Sequence, residues 1–320
     1  MDALLRYIRY TEGYIDTIDM GKSQDIEGKL DRLGCTMWLD TLEIAVKKSH
    51  LVNAHQAMAA GDQFEEEDMP GVPLGWLQTT LGIFRFAAVM PKSWILGFIV
   101  PLLRCLKGVS SDASKETLCV PSVHFQSDKV SLANLHRCRR ALVLLLKLMI
   151  QNPQCARLPM YLLLPPAEIV QRAPVDSIIF CGHDACDRGM ATLIWEPNHL
   201  NMIEVLLVMW PAEVRRLLLN SRHSDLRKHD RDFLCMGNLE HSCPMTNKLQ
   251  WGDEYYFEKL ALQITDNQPT EGVINKGFGS NFVDQEMCRL SSLLKVKHTF
   301  NELAVWVQTW LNDLLDALSR

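Results

Sequence analysis

No stretch of this chain is apolar for the ~20 residues a membrane-spanning helix requires. The most apolar run, "SWILGFIVPLL" at 93–103, is short and bracketed by Lys92 and Arg104, and reads as a buried helix with no membrane partner. Nor is there a basic excess. Lys and Arg number 33 against 38 Asp and Glu, a net charge of −5, which excludes attraction to nucleic acid by bulk charge alone. The basic stretches at 136–140 and 222–231 read as solvated helix faces. The opening "MDALLRYIRY" lacks the apolar core of a signal peptide. The chain is therefore expected to be intracellular, cytoplasmic or nuclear, with its ten cysteines reduced and in no disulfide framework. Repeats and low-complexity tracts are missing as well.

What is present is enough apolar sequence, 48% of 320 residues, for two compact domains or one plus an appendage. Residues 24–60 read as helical, with Ile26, Leu30, Leu33 and Met37 at helical spacing. "GDQFEEEDMPGVP", 61–73, reads as a linker or surface loop. Two or three short packed helices are expected in 74–106, interrupted at Pro91 and Pro101. A loop follows at 110–116, then a strong helix over 131–150. From about 160 the texture changes. "DSIIFCG" and "ATLIWEP" read as a β-hairpin. Residues 201–219 read as helix with Pro211 as a kink, and "LALQIT" at 260–265 as a strand.

Two Cys/His clusters suggest zinc: Cys181, His183 and Cys186, then Cys235, His241 and Cys243. A structural zinc site usually shows two tight ligand pairs. Cys-x-His-x2-Cys and Cys-x5-His-x-Cys are not such pairs, and the alternative is that these cysteines are small buried apolar residues. Four carboxylates form a second candidate set: Asp184 at the end of an apolar strand, Glu204, Asp266 and Asp316. Hard oxygen ligands converging from several elements are what a divalent metal pair needs.

The residues around these acids carry a resemblance. "DACDRGMATLIW" resembles D-A-S-x-x-G-x-G-A, the opening strand pair of ribonuclease H domains in retroelement polymerases. Asp184, Ala185 and Gly189 match; Cys186 stands in for Ser, and Ala191 for the second Gly. "HLNMIEVLLV" resembles H-I-N-x-x-E-x-x-A-V through His199, Asn201 and Glu204. "TDNQPTEGVINKG" resembles T-D-N followed by I-N-K-G, carrying Asp266, Asn267, Ile274, Asn275, Lys276 and Gly277. "AVWVQTWLNDLLDALSR" resembles the family's closing motif through Asn312, Asp316, Leu318, Ser319 and Arg320. Trp306 replaces the family His there, and Gln308–Thr309 its Pro-Gly. DIRS-like and gypsy-like retrotransposons are the nearest in flavour. Upstream, 74–91 resembles the polymerase thumb, 31–52 faintly resembles the end of the palm, and "YIDT" at 14–17 a worn Y-x-D-D turn.

The resemblance implies an α/β fold: a ribonuclease H-like, mixed five-stranded sheet with flanking helices, preceded by an α-rich thumb/connection region. It implies a palm remnant or helical region over 1–69, a thumb/connection over 70–160, and a ribonuclease H-like domain over 161–320 with an insertion at about 220–255. It makes 301–307 the last strand and 311–318 the last helix, where the residues alone, with Thr299 and Glu302 as a capping box, read as one long helix. Asp184, Glu204, Asp266 and Asp316 become catalytic ligands of two Mg²⁺ (or Mn²⁺) ions. The substrate is the RNA strand of an RNA–DNA hybrid, with Asn267, Asn275 and Lys276 as nucleic-acid contacts, and the wider partner is the rest of a retroelement polyprotein. Polymerase activity of this chain alone is not expected. Two alternatives remain: a non-catalytic relative that binds nucleic acid or protein, and a zinc-stabilised α-rich interaction protein.

Overall fold

The computed structural model describes residues 29–84, 92–121, 128–198, 203–223, 225 and 233–320, apart from 33–34, 39–40, 42, 154–156, 165 and 310–311. "YIDT", His199 and Asn201 lie outside the described residues.

The chain begins with three strands, β1 (Lys29–Arg32), β2 (Cys35–Trp38) and β3 (Glu43–Val46). With β6 (Arg157–Pro159) they form an antiparallel four-stranded sheet in the order β1-β2-β3-β6. This corrects the helical reading of 24–60. Leu30 and Met37, two turns apart on an imagined helix, are cross-strand partners in a hairpin. The helix starts only at α1 (Lys48–Ala59). The acidic 61–73 stretch is not simply a loop: it holds the short α2 (Asp62–Glu66) and β4 (Val72–Pro73), which pairs with β5 (Leu118–Cys119). Helices α3 (Leu74–Ile83), α4 (Lys92–Arg104) and α5 (Asp128–Gln151) follow the expected helical pattern, except that Pro101 lies inside α4 and does not interrupt it. A short α6 (Pro166–Arg172) leads into the second sheet.

That sheet contains β7 (Ile178–Ala185), β8 (Gly189–Trp195), β9 (Ile203–Met209), β10 (Leu260–Thr265) and β11 (Asn301–Trp306). Its order is β11-β10-β7-β8-β9. β7 runs parallel to β10, and β10 to β11. β8 is antiparallel to both its neighbours. The result is the five-stranded mixed sheet with flanking helices that the sequence led us to expect. β9 corrects the helical reading of 201–219. Val205, Leu207 and Met209 alternate onto one exposed face, the period of a strand. Pro211 is no kink; it sits just ahead of α7 (Ala212–His223), where a missing N–H costs nothing.

Helices α8 (Met236–Trp251), α9 (Gln268–Lys276), α10 (Phe282–His298) and α11 (Asp313–Ser319) complete the molecule. α8 lies inside the stretch read as an insertion, yet it packs directly on the sheet. Its Met245 and Trp251 join Ile179, Cys181, Ile194, Ala261 and Phe300 in one core. The opposite face presents Ile178, Leu260, Leu262 and Leu303 to a single apolar cluster that reaches back to Cys35 and includes Trp94 and Phe98. The indole N–H of Trp94 donates to Asn301 Oδ1 at 2.7 Å, tying α4 to the start of β11. No helix among the described residues is long and apolar enough to cross a membrane.

Candidate metal centre

β7 ends at Asp184 and Ala185, where the hairpin to β8 closes through Cys186 N–H donating to the Gly189 carbonyl at 2.9 Å. The parallel neighbour β10 ends at Thr265, which leaves Asp266 in the connection to α9 at the same edge of the sheet. Thr265 Oγ1 accepts from Asn267 N–H at 3.1 Å, and Asn267 Oδ1 caps α9 by accepting from Thr270 N–H at 3.0 Å. The turn holding Asp266 is therefore fixed on both sides.

The third acid is Glu240, on α8. Its helix starts at Cys235, whose N–H donates to Asn238 Oδ1 at 3.0 Å. Leu239 and Cys243, four residues apart, bury against Ala185 and Met190, and this packing brings Glu240 over the end of β7. Pro244 has no N–H to offer the Glu240 carbonyl. One carboxylate oxygen from each of Asp184, Glu240 and Asp266 lies within 4.8 Å of the others, the only such grouping of three potential ligands among the described residues.

Electrostatics follow from this crowding. Burial, then Asp184 and Asp266, push Glu240 up to about 9. Its Oε2 is buried with no hydrogen-bond partner. Asp184 is also raised, chiefly by burial and further by Asp266 and Asp316, although Ser319 opposes the shift. The Ser319 hydroxyl donates to Asp184 Oδ2 at 2.6 Å. Three carboxylates that repel one another, one with an orphaned oxygen, form a group that could hold a metal ion.

The sequence-expected residues fare differently. Asp184 and Asp266 meet. Asp316, on α11, is close enough to raise Asp184 but is itself held by Arg320 at 2.7 and 2.9 Å. Glu204 corrects our expectation. It lies on β9 paired with Ile194, three residues along from the Asp184–Ala191–Leu207 row, roughly 10 Å by strand rise. It is exposed there and accepts from Tyr255 at 3.3 Å. Glu240 was missed because the stretch around it read as an insertion. The available signal was an acid embedded in the apolar Leu239/Cys243 face of a helix.

Asn275 is also committed elsewhere. Its amide donates to the Ala304 carbonyl at 2.9 Å and accepts from Ala304 N–H at 2.7 Å, clamping α9 to β11. Lys276 is exposed, and Gly277 ends α9 in the left-handed conformation at φ 64°. Trp306 is 39% exposed at the end of β11, and its indole N–H donates to the Asp266 carbonyl at 3.0 Å.

The zinc candidates do not assemble among the described residues. Cys181 faces Tyr256 OH at 3.3 Å, and burial pushes its thiol up to about 12. His183 is fully buried and neutral, held down to about 3 by burial. The Cys186 thiol donates to the Ser319 carbonyl at 2.9 Å, which ties α11 to the hairpin. Cys235 caps α8, His241 contacts Asp284 at 3.1 Å, and the Cys243 thiol donates to the Leu239 carbonyl at 3.3 Å. Thiols pushed up by burial, as at Cys181 and Cys243, and an imidazole engaged by Asp284 are poor zinc ligands.

No family model and no curated protein matches the chain. Among solved structures, a foamy viral protease-reverse transcriptase in complex with an RNA/DNA hybrid is similar over 91% of this chain at 11% identity, with a TM-score of 0.29. The chain spans about half of that protein, 52% of its length.

Proposed function

We propose that this protein is a ribonuclease H-like, metal-dependent nuclease that hydrolyses the RNA strand of RNA–DNA hybrids, as part of a retroelement reverse transcriptase. The observation that carries this reading is the convergence of Asp184, Glu240 and Asp266, from a strand end, a helix and a strand-to-helix turn, within 4.8 Å. The order of motifs along the sequence supports it independently.

Asp184, Glu240 and Asp266 would hold a divalent cation, and Asp316, near enough to raise Asp184, would be available to a second. Bound there, Mg²⁺ or Mn²⁺ supplies an activated water and charge stabilisation at the scissile phosphate. The protein's own groups do the rest. Ser319 fixes the Asp184 carboxylate. Glu240 holds its proton at neutral pH in the metal-free protein and would give it up to solvent to serve as a ligand. Arg320 keeps Asp316 oriented beside Asp184. Asn267 holds the Asp266 turn, and Asn275 clamps α9 to β11.

The test is cleavage of an end-labelled RNA–DNA hybrid in Mg²⁺ and in Mn²⁺. Asp184→Asn and Glu240→Gln should each reduce the rate at least 10²-fold, and Glu204→Gln should leave it within about twofold. Equal loss in Glu204→Gln and none in Glu240→Gln would overturn the assignment of the third ligand. A second reading, a relative that binds nucleic acid or protein without cutting it, is favoured by Trp306 and Gln308–Thr309 at the motif's His and Pro-Gly positions. It requires that neither metal gives cleavage and that Mg²⁺ leaves the melting temperature unchanged.

A further inference from the structure

A site of clustered carboxylates repels the polyanion it is proposed to cut, so an adjacent surface must attract the strand. α7 has the chemistry and the position. Its inner face is apolar: Val214 and Leu218 pack with Leu239 and Cys243, the residues that flank Glu240 on α8. Its start is pinned to the Asp184 hairpin. Trp210 N–H donates to the Arg188 carbonyl at 2.9 Å, and its indole N–H to the Cys186 carbonyl at 2.8 Å. Its end is pinned by Ser221, whose hydroxyl accepts from Leu234 N–H at 2.9 Å. α7 is thus a rigid neighbour of the acidic trio, one helix away from Glu240.

The exposed side of α7 carries Arg215 and Arg222, two turns apart on one flank, and Arg216, about 100° round the helix from Arg215; the exposed Glu213 lies on the same side of the helix as Arg216. None of the three forms an ion pair with an acid among the described residues, and neither does the exposed Arg188 at the hairpin tip. In a chain of net charge −5, α7 therefore presents three arginines to solvent against the single acid Glu213. Arg215 and Arg222 lie two turns apart, about 10 Å along the axis, a separation that reaches successive phosphates of one strand. Guanidinium groups bind phosphate bidentately.

We infer that the outer face of α7, through Arg215, Arg216 and Arg222, grips the phosphate backbone of the nucleic-acid strand presented to the acidic trio. This rests on the nuclease reading for the orientation of the strand, but not for the binding itself.

The experiment measures binding of a fluorescein-labelled RNA–DNA hybrid to the full chain in EDTA, from 50 to 200 mM salt. Without divalent metal, cleavage cannot contribute. The triple substitution Arg215→Ala/Arg216→Ala/Arg222→Ala should weaken binding at least tenfold at low salt. It should also reduce the log–log salt slope by about 2 to 3, at about 0.9 per phosphate contact. Each single substitution should carry about a third of the slope change, which guards against a folding defect in the triple variant. Arg216→Lys should retain the slope, since the charge is kept. An unchanged slope in the triple variant overturns the inference, as does failure of the wild type to bind any hybrid at 50 mM salt. The latter outcome would leave α7 to an acidic protein partner. Loss of slope in a chain that never cleaves supports the inference and overturns only the catalytic reading; cleavage with an unmoved slope does the reverse.

Discussion

Glu240 is the residue whose setting says most about the site. Burial and two neighbouring carboxylates hold its pKa at about 9, against an ordinary 4.5. A carboxyl raised in the folded state contributes stability that is complete below its unfolded pKa and is lost as pH rises through its folded pKa. The metal-free protein should therefore lose melting temperature between about pH 4.5 and 9. Glu240→Gln should flatten that part of the profile, and Mg²⁺ should offset the loss above pH 7. Melting curves of both proteins, with EDTA or Mg²⁺, check this; parallel wild-type and variant profiles in EDTA would contradict it. Glu302 is the opposite case. Although burial opposes ionisation, Lys248 at 2.5 Å and Lys295 at 3.0 Å hold it down to about 2. Its charge is thus present in the folded protein at neutral pH, and its stabilising contribution, complete above about 4.5, is lost progressively as pH falls through about 2.

At the scale of elements, the site depends on how closely β8 and β9 approach beside the hairpin. Gly189 opens β8, and a Cβ placed there would sit 2.4 Å from the Val208 carbonyl oxygen. Backbone cannot yield cheaply at that distance. Gly189→Ala should therefore destabilise the protein by about 1–3 kcal/mol, measured by urea unfolding. It should also lower hybrid cleavage, since Cys186 and Trp210 connect this corner to α11 and α7. An unchanged unfolding midpoint would show that the corner relaxes. How much of the site could be read from sequence is also decided by elements. "IIFCGHDA" and "LALQIT" are β-rich runs ending in acids, so Asp184 and Asp266 were legible locally. Glu204 matched a motif's spacing, but "IEVLLVM" alternates as a strand. The helix that supplies the third acid starts more than thirty residues later, at Met236. A pattern of nearby letters cannot report a contact made across that distance.

At the scale of the whole molecule, the apolar cluster that runs from Cys35 to Leu303 crosses the boundary expected near 160. One face of the second sheet, with Ile178, Leu260, Leu262 and Leu303, is covered by residues from the first half. A fragment of residues 161–320 would expose that face, and burying apolar surface is worth roughly 25 cal/mol per Å². The fragment should unfold at lower urea than the full chain and bind a hydrophobic dye that the full chain does not. Matching urea midpoints and no dye binding would instead make 161–320 an independent domain. The same cluster explains why the N-terminal strands escaped sequence reading. β1 and β2 form a short hairpin whose cross-strand pairs mimic helical spacing, and pairing is a tertiary fact that periodicity does not encode.

By itself, the sequence determined the α/β class and the two strand runs beside Asp184 and Asp266; the terminal strand and helix came only from the family resemblance, since the residues alone read as one long helix. The strand runs are local properties, set by side-chain alternation. Only the tertiary structure decided that Glu240 rather than Glu204 joins the two aspartates, that Asn275 is a clamp, and that a cationic helix stands beside the acids. Each depends on which face of a helix packs against the sheet, and that is chosen by burial summed over residues far apart in the chain.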